Sequence, residues 1–411
     1  DRPDPEDAMR KIVGIAVLVV PLAGWACAPT PTVGVLTPET GHAEAYGHAV
    51  NNGIRLALTE ARSAGRLPPD FQLVESDTCS APDLAASELR RFAADLDVEL
   101  VVGGVTTDEA LALIPVVEDE RVVCLSPSAS ASSLTGKSPY FFRLFATDEV
   151  EGSTAARYLY DTRSVRSVLV ITDDSTFSRG LEAEFRQHFA LNLGGTIVAT
   201  VHDELEWWKR KAMDMVNAHS PDAVYVVGHA EHILATLELL ASIEYQGVRA
   251  TTSAVYLAEL LESGNPAHEG VFFPLTSLRA CDRPAADTPE CPFIERYRKE
   301  YGSEPDFFAA HGYDAMQVAI KALLDARSVD VSELRRYMRI GLREFDGVTG
   351  TIAFDERGDV RRYPIMHTIF NGRVVSTTWL KEMKRQQIER ILAGPRPSAA
   401  QHRDEPIPLD A

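Results

Sequence analysis

The sequence predicts an α/β protein of two similar open parallel-sheet lobes, and three observations carry that prediction. Short apolar runs alternate with longer stretches of helical spacing, the alternation occurs in two successive series, and 411 residues exceed what one domain of roughly 150 residues needs. In the first series Val33 to Leu36 reads as a strand and Tyr46 to Arg62 as a helix, with Ile54, Leu56, Ala57 and Ala61 on one face. Phe71 to Glu75 (strand), Ala81 to Asp95 (helix), Val98 to Val102 (strand), Asp108 to Glu118 (helix) and Val122 to Leu125 (strand) follow. Strands separated by helices run parallel, because each crossover returns the chain to the same end of the sheet. The second series repeats the scheme: Ser167 to Thr172, Thr196 to Val201 and Ala223 to Gly228 as strands, Ser178 to Leu191, Trp207 to Ala218 and His232 to Ile243 as helices.

The remainder is less regular. Gly270 to Pro274 is strand-like, and Pro292 to Tyr301, Phe307 to Arg327 and Val331 to Arg339 are helical. Gly350 to Phe354 and Tyr363 to Asn371, separated by the turn-rich Asp355 to Asp359, read as a hairpin. From Lys381 the chain is a charged helix and then a Pro-rich tail, so 381–411 is expected to be a solvated helix and mobile tail.

Composition excludes whole classes. Charged residues make up 25% and hydrophobic ones 45%, ordinary for a folded body. A formal net charge of −19 repels a phosphate backbone, which argues against nucleic acid as a partner. The apolar stretch from Ile12 to Ala26 is shorter than the roughly 20 residues a bilayer-spanning helix needs. Preceded by Met9-Arg10-Lys11 and ending at Trp25-Ala26-Cys27, it has the order of a secretory signal over 9–27. Its end is similar to a bacterial lipobox, with Cys27 as the lipidated residue, although Gly24 and Trp25 depart from that pattern and ordinary cleavage near Ala28 is the alternative. Residues 1–8, acidic and proline-containing, are expected to be an artefact ahead of a natural start at Met9.

An exported compartment permits disulfides among Cys79, Cys124, Cys281 and Cys291, with three connectivities open. Cys281 and Cys291 bracket a polar, proline-containing stretch and would close a short loop, whereas Cys124 in an apolar run reads as a buried thiol. No CxxC or Cys/His spacing points to zinc.

Ligands of open α/β sheets bind outside the carboxyl ends of the strands. The loops there are Thr37 to Gly47, Gly103 to Thr107 and Ser126 to Ser133, whose hydroxyls and helix-start amides favour anions or carboxylates, or simply cap helices. GxSxG, GxGxxG and P-loop motifs are absent, and His229-Ala230-Glu231-His232 and Asp173-Asp174 read as polar loop residues rather than metal sites. No catalytic residue, metal or cofactor is expected, and the protein is read as a non-enzyme.

At this point the chain resembles a known family. VGVLTPETGHAEAYGHAVNNGIRLALTEA, ELVVGGVTTDEALALIPVVEDERVVCLSPSASASSLTG, FFRLFATDEVEGSTAARYL, VLVITDDSTFSRGLEAEF, PDFFAAHGYDAMQVAIKAL and FDGVTGTIAFDERGDV are similar, in that order, to segments of the bacterial Leu/Ile/Val-binding proteins of ABC uptake systems, which have the type I periplasmic-binding fold. The resemblance covers about residues 32–375. It implies two lobes joined by a three-segment hinge near Phe145 to Val150, Pro274 to Ser277 and Asp346 to Thr349, with 32–146 plus 275–346 as lobe 1 and 147–274 plus 347–380 as lobe 2. It also implies a small-molecule ligand in the cleft, an ABC permease as partner, a periplasmic location and membrane association only through the Cys27 lipid.

Carried over position by position, the resemblance makes Tyr46 a pocket wall and Thr107 a carboxylate-binding hydroxyl. Ser128 and Ser130 complete carboxylate and ammonium binding in the first lobe, Phe177 stands where the family often has Tyr, and His229 packs over the ligand. The family's ammonium-binding acid falls near Ser253, where no Asp or Glu occurs; Asp174 and Glu231 are candidate substitutes. A buried ammonium without a carboxylate is costly, so the expected ligand is small and polar, amino-acid-like or carboxylate- or amide-bearing. A ligand sensor of the same fold that signals without transport is the alternative.

Overall fold

Five strands, β1 (Thr32–Thr37), β2 (Gln72–Asp77), β3 (Leu100–Gly103), β4 (Val123–Ser126) and β5 (Phe141–Arg143), pair in the order β2-β1-β3-β4-β5, all parallel, in the computed structural model. The structure describes residues 31–173, 175–203, 207–257, 264–276, 290–326 and 330–392, with the side chains of 290–291 and 388–392 excepted. The signal-like segment with Cys27, the Cys281–Cys291 pairing and the tail beyond 392 therefore lie outside the described residues. Each position of β1 is buried, as expected of a parallel strand covered on both faces. Helices α1 (Glu44–Ser63), α2 (Pro82–Leu96) and α3 (Thr107–Asp119) supply the crossovers.

After β5 the chain passes to a second sheet through residues 144–147 and enters helix α4 (Asp148–Arg157). Strands β6 (Ser167–Thr172), β7 (Thr196–His202), β8 (Ala223–Val227), β9 (Val248–Thr251) and β10 (Phe272–Leu275) alternate with helices α5 (Thr176–Arg186), α6 (Trp208–His219) and α7 (Ala230–Ser242). A short antiparallel pair, β11 (Phe345–Gly347) and β12 (Gly350–Ile352), stands apart. Strands β13 (Ile365–Phe370) and β14 (Arg373–Ser376) then complete a seven-stranded sheet, β14-β13-β10-β9-β8-β6-β7, in which β13 is antiparallel to both neighbours.

The long helix Phe307–Ala326 belongs to the first lobe and lies against α1. Two glycines permit that approach. A Cβ on Gly53 would run into the Ala309 carbonyl, and one on Gly312 into the Val50 carbonyl. The helix Glu290–Tyr301 joins the same side, with the Tyr301 hydroxyl donating to the Asn52 carbonyl at 2.8 Å.

Two expectations are corrected. Gly350 to Phe354 and Tyr363 to Asn371 do not form a hairpin: β12 pairs with β11, and β13 pairs with β10 and β14, leaving only an isolated bridge between Phe354 and Val360. The turn-rich Asp355 to Asp359 closes on itself, the Asp355 carboxylate accepting from the Arg357 and Asp359 amides, so alternating residues beyond it find a longer partner strand. The third crossing also moves from Asp346–Thr349 to residues 361–364. Residues 347–360 stay with the first lobe because Asp314 accepts from the Val348 and Thr349 amides and Arg143 holds Asp359. Among elements the periodicity missed, β5 has three residues, β9 reads Val-Arg-Ala-Thr and so lacks an apolar run, and α4 opens with three acids that hide its buried face.

Arg143 is fully buried, with its Nε 2.7 Å from Asp359 Oδ1 and its Nη1 donating to the Ala131 carbonyl at 2.7 Å. Removing one partner strands the other without water. Asp359→Ala is expected to lower stability by about 3–5 kcal/mol in urea unfolding, and a loss below about 1 kcal/mol would contradict a desolvated anchor.

Candidate functional site

The carboxyl ends of β3 and β4 face those of β8 and β9 across a cleft, and the sequence-predicted site residues meet there. Tyr46, Thr107, Ser128 and Ser130 line it from the first lobe, and Phe177, His229 and Ser253 from the second. Phe145 and Phe308, which the sequence did not single out, complete the wall. The empty space is about 420 Å³ with its open mouth, room for a small molecule. Among the described lining residues there is no Asp, Glu, Lys or Arg.

The polar end of the cleft is built by α3. Thr106 caps it reciprocally: its hydroxyl accepts the Glu109 amide at 3.2 Å while the Glu109 carboxylate takes the Thr106 amide at 3.2 Å. The helix therefore starts at Thr107 on the cleft wall, where its first-turn amides are donors for an anion. Thr107 is largely buried, and its hydroxyl makes no hydrogen bond among the described residues. Ser128, by contrast, donates its hydrogen to the Val105 carbonyl at 2.6 Å and so turns only lone pairs outward.

The aromatic end comes from both lobes. Phe308 lies edge-on to Tyr46 at 4.8 Å between centroids, and His229 packs 6.0 Å from Tyr46 and 5.6 Å from Phe177. The Tyr46 hydroxyl crosses the cleft: it accepts the Ala230 amide at the start of α7 (2.8 Å) and donates to the Ala254 carbonyl (3.4 Å). The lobes are thus closed on one another. His229 is held by Asp173, whose Oδ2 lies 2.9 Å from Nδ1 and 2.7 Å from the His229 amide nitrogen. Burial opposes ionisation of Asp173, but His229 and the Ser178 hydroxyl outweigh it and hold the carboxyl well below its usual range. His232 turns away to Asp203, 2.8 Å distant, so the two imidazoles do not converge.

At Ser253 the structure supplies what the loop sequence lacks. Its amide and hydroxyl both meet the buried Glu151 carboxyl, each at 2.8 Å. Of the expected substitutes, Glu231 is exposed on α7 and Asp174 lies outside the described residues. Glu151 escaped the sequence reading because acids in a first helical turn normally serve the helix dipole in water. The spacing from Asp148 to Glu151 was the available signal, since residues three apart share a face. Cys124 is buried at the first sheet, and burial pushes its thiol up to about 12.

The sequence signature described as periplasmic binding protein matches residues 30–374. The chain belongs to the periplasmic binding protein family. Its fold is the type I periplasmic-binding fold, α/β with two mostly parallel lobes. This periplasmic binding protein is 26% identical to Leu/Ile/Val-binding protein homolog 1 of Brucella suis over 362 residues, 85% of this chain and 94% of the relative. The leucine-binding protein LivK of Thermotoga maritima superposes with a TM-score of 0.74 at 27% identity, over 84% of this chain and 97% of the other. A solute-binding protein of an ABC transporter from Rhodopseudomonas palustris, solved with 3,4-dihydroxybenzoic acid, has the same fold with a TM-score of 0.74 at 22% identity, over 84% and 95%.

Two outcomes follow from the geometry. Tyr46→Phe keeps the wall but removes the bonds across the cleft, worth about 0.5–1.5 kcal/mol each. Small-angle scattering of the unliganded variant is expected to show a larger radius of gyration, and an unchanged radius would mean that closure does not depend on this hydroxyl. Asp173→Ala is expected to lower stability at pH 7 by about 1–3 kcal/mol. Because a depressed carboxyl contributes stability above its unfolded value near 4 and loses it on protonation, the difference should shrink as pH falls below about 4, and a constant gap in pH-dependent melts would refute the pairing.

Proposed function

We propose that this protein captures a small carboxylate-bearing, amino-acid-like ligand in the interlobe cleft and delivers it to an ABC permease by hinge closure. The observation that carries the reading is the closed cleft in which the Thr107 hydroxyl and the first turn of α3 face an aromatic wall shared by both lobes. A carboxylate fits the amide donors and an apolar body fits Tyr46, Phe145, Phe177 and Phe308. The names of its relatives support a branched-chain amino acid as the first candidate, and the Rhodopseudomonas protein adds a plain aromatic acid to the compounds to be tried. Closure follows from differential affinity: a ligand that touches both lobes favours the state in which they meet. Export to the periplasm, with anchoring through lipidated Cys27, completes the proposal.

The test is a thermal-shift panel of amino acids, amides and small carboxylates on protein freed of bound ligand by unfolding and refolding. A hundredfold excess over Kd stabilises by about 2.7 kcal/mol, a plain shift. Thr107→Ala is expected to abolish it while leaving the unliganded melting temperature within a few degrees, and a panel without any shift would remove the capture reading.

A further inference from the structure

Behind the cleft wall, α4 carries Asp148 and Glu151 three residues apart on one face, and both are buried. Each reaches the cleft through a serine that lines it. Glu151 Oε1 accepts the Ser253 amide at 2.8 Å, and its Oε2 shares a hydrogen with the Ser253 hydroxyl at 2.8 Å. The Asp148 amide donates to the Ser130 carbonyl at 2.9 Å. The Ser130 hydroxyl faces the Asp148 carboxyl without a hydrogen bond of good geometry, and neither carboxyl oxygen has a partner among the described residues. The pair thus sits just past the first crossing, tied to Ser130 of one lobe and Ser253 of the other.

Among the described residues no cation is ion-paired with it. The charged and titratable groups that act on the pair from neighbouring elements are Arg143 on β5, Glu184 on α5 and Tyr225 on β8. Arg143 is already engaged by Asp359 and the Ala131 carbonyl, Glu184 adds negative charge, and the Tyr225 hydroxyl has no partner of its own among the described residues. Burial pushes both carboxyls up to about 7, so the pair holds a proton near neutral pH.

The state of Glu151 sets the polarity of the wall. When it is ionised, Ser253 gives it the hydroxyl hydrogen and turns lone pairs toward the cleft, as Ser128 does through Val105. When it is protonated, Glu151 donates instead, and the Ser253 hydrogen is released to the cleft. An acceptor wall suits an ammonium and a donor wall does not.

We infer that Asp148 and Glu151 are the counter-charge for a cationic group of the ligand, seated between Ser130 and Ser253, whose arrival expels a proton from the pair. The inference rests on the capture reading and narrows its substrate class to amino carboxylates. One carboxyl O–H bond breaks, its proton passes to solvent, and the ligand ammonium keeps its three hydrogens, so one positive charge enters as one leaves. Asp148 and Glu151 act as positioning residues through the two serines, which replace an acid on the loop at Ser253.

Isothermal titration of the whole folded protein with L-leucine and with 4-methylpentanoate, the same molecule without its ammonium, decides the matter at pH 6.5 and 8.5 in buffers of different ionisation heat. L-leucine is expected to bind at least tenfold more tightly, to release up to one proton at pH 6.5, and to weaken by up to tenfold per pH unit toward acid. Glu151→Gln and Asp148→Asn should each flatten the pH dependence and erase the release, with folding followed by circular dichroism. Should neither variant fold, the wild-type comparison alone decides. Equal affinity for the two compounds, or leucine binding with no proton exchange, overturns the inference. Binding of benzoate or another plain carboxylate with none of leucine also overturns it while leaving capture standing, and no binding by any compound overturns capture itself.

Discussion

One phenol hydroxyl joins what the hinge separates. Tyr46 projects from the first helix of the first lobe and bonds an amide and a carbonyl of the second, so its hydroxyl ties the two walls of the cleft together. Its burial pushes the phenol far above its ordinary pKa, which keeps the group a neutral donor and acceptor. The ring itself packs on Phe308 and His229, so one residue both shapes the wall and closes it.

Charge is arranged around the cleft rather than in it. Asp173 stays ionised because His229 and a serine hydroxyl answer it, whereas burial pushes Asp148 and Glu151, which have no ion-pair partner among the described residues, toward the neutral form. Glu109 shows the same balance in the first lobe: burial raises it although it serves a cap and a threonine hydroxyl. A wall of hydroxyls backed by carboxyls of adjustable charge can answer a ligand's own charges in a way that an apolar pocket cannot.

Much of both lobes was legible because parallel strands buried on both faces leave continuous apolar runs, and helices beside them leave a 3.6-residue period; β1 and β4 of the first sheet and β6 of the second match their predicted segments closely. The resemblance placed seven residues that the structure gathers into one cleft. The hairpin reading failed since alternation marks a strand without naming its partner, and β13 found β10, distant in sequence. The third crossing slipped because Asp314 and Arg143, far apart along the chain, hold residues 347–360 to the first lobe.

The sequence by itself determined the alternation of elements, the two-lobe class and the loops that carry hydroxyls to the strand ends, because these depend on local periodicity and capping. The tertiary structure alone decided that Glu151 stands behind Ser253, that Asp148 loses its water, and that Tyr46 spans the cleft. Each is a contact between distant segments, and the ionisation of a carboxyl depends on what surrounds it, which the identities of its neighbours in the chain do not specify.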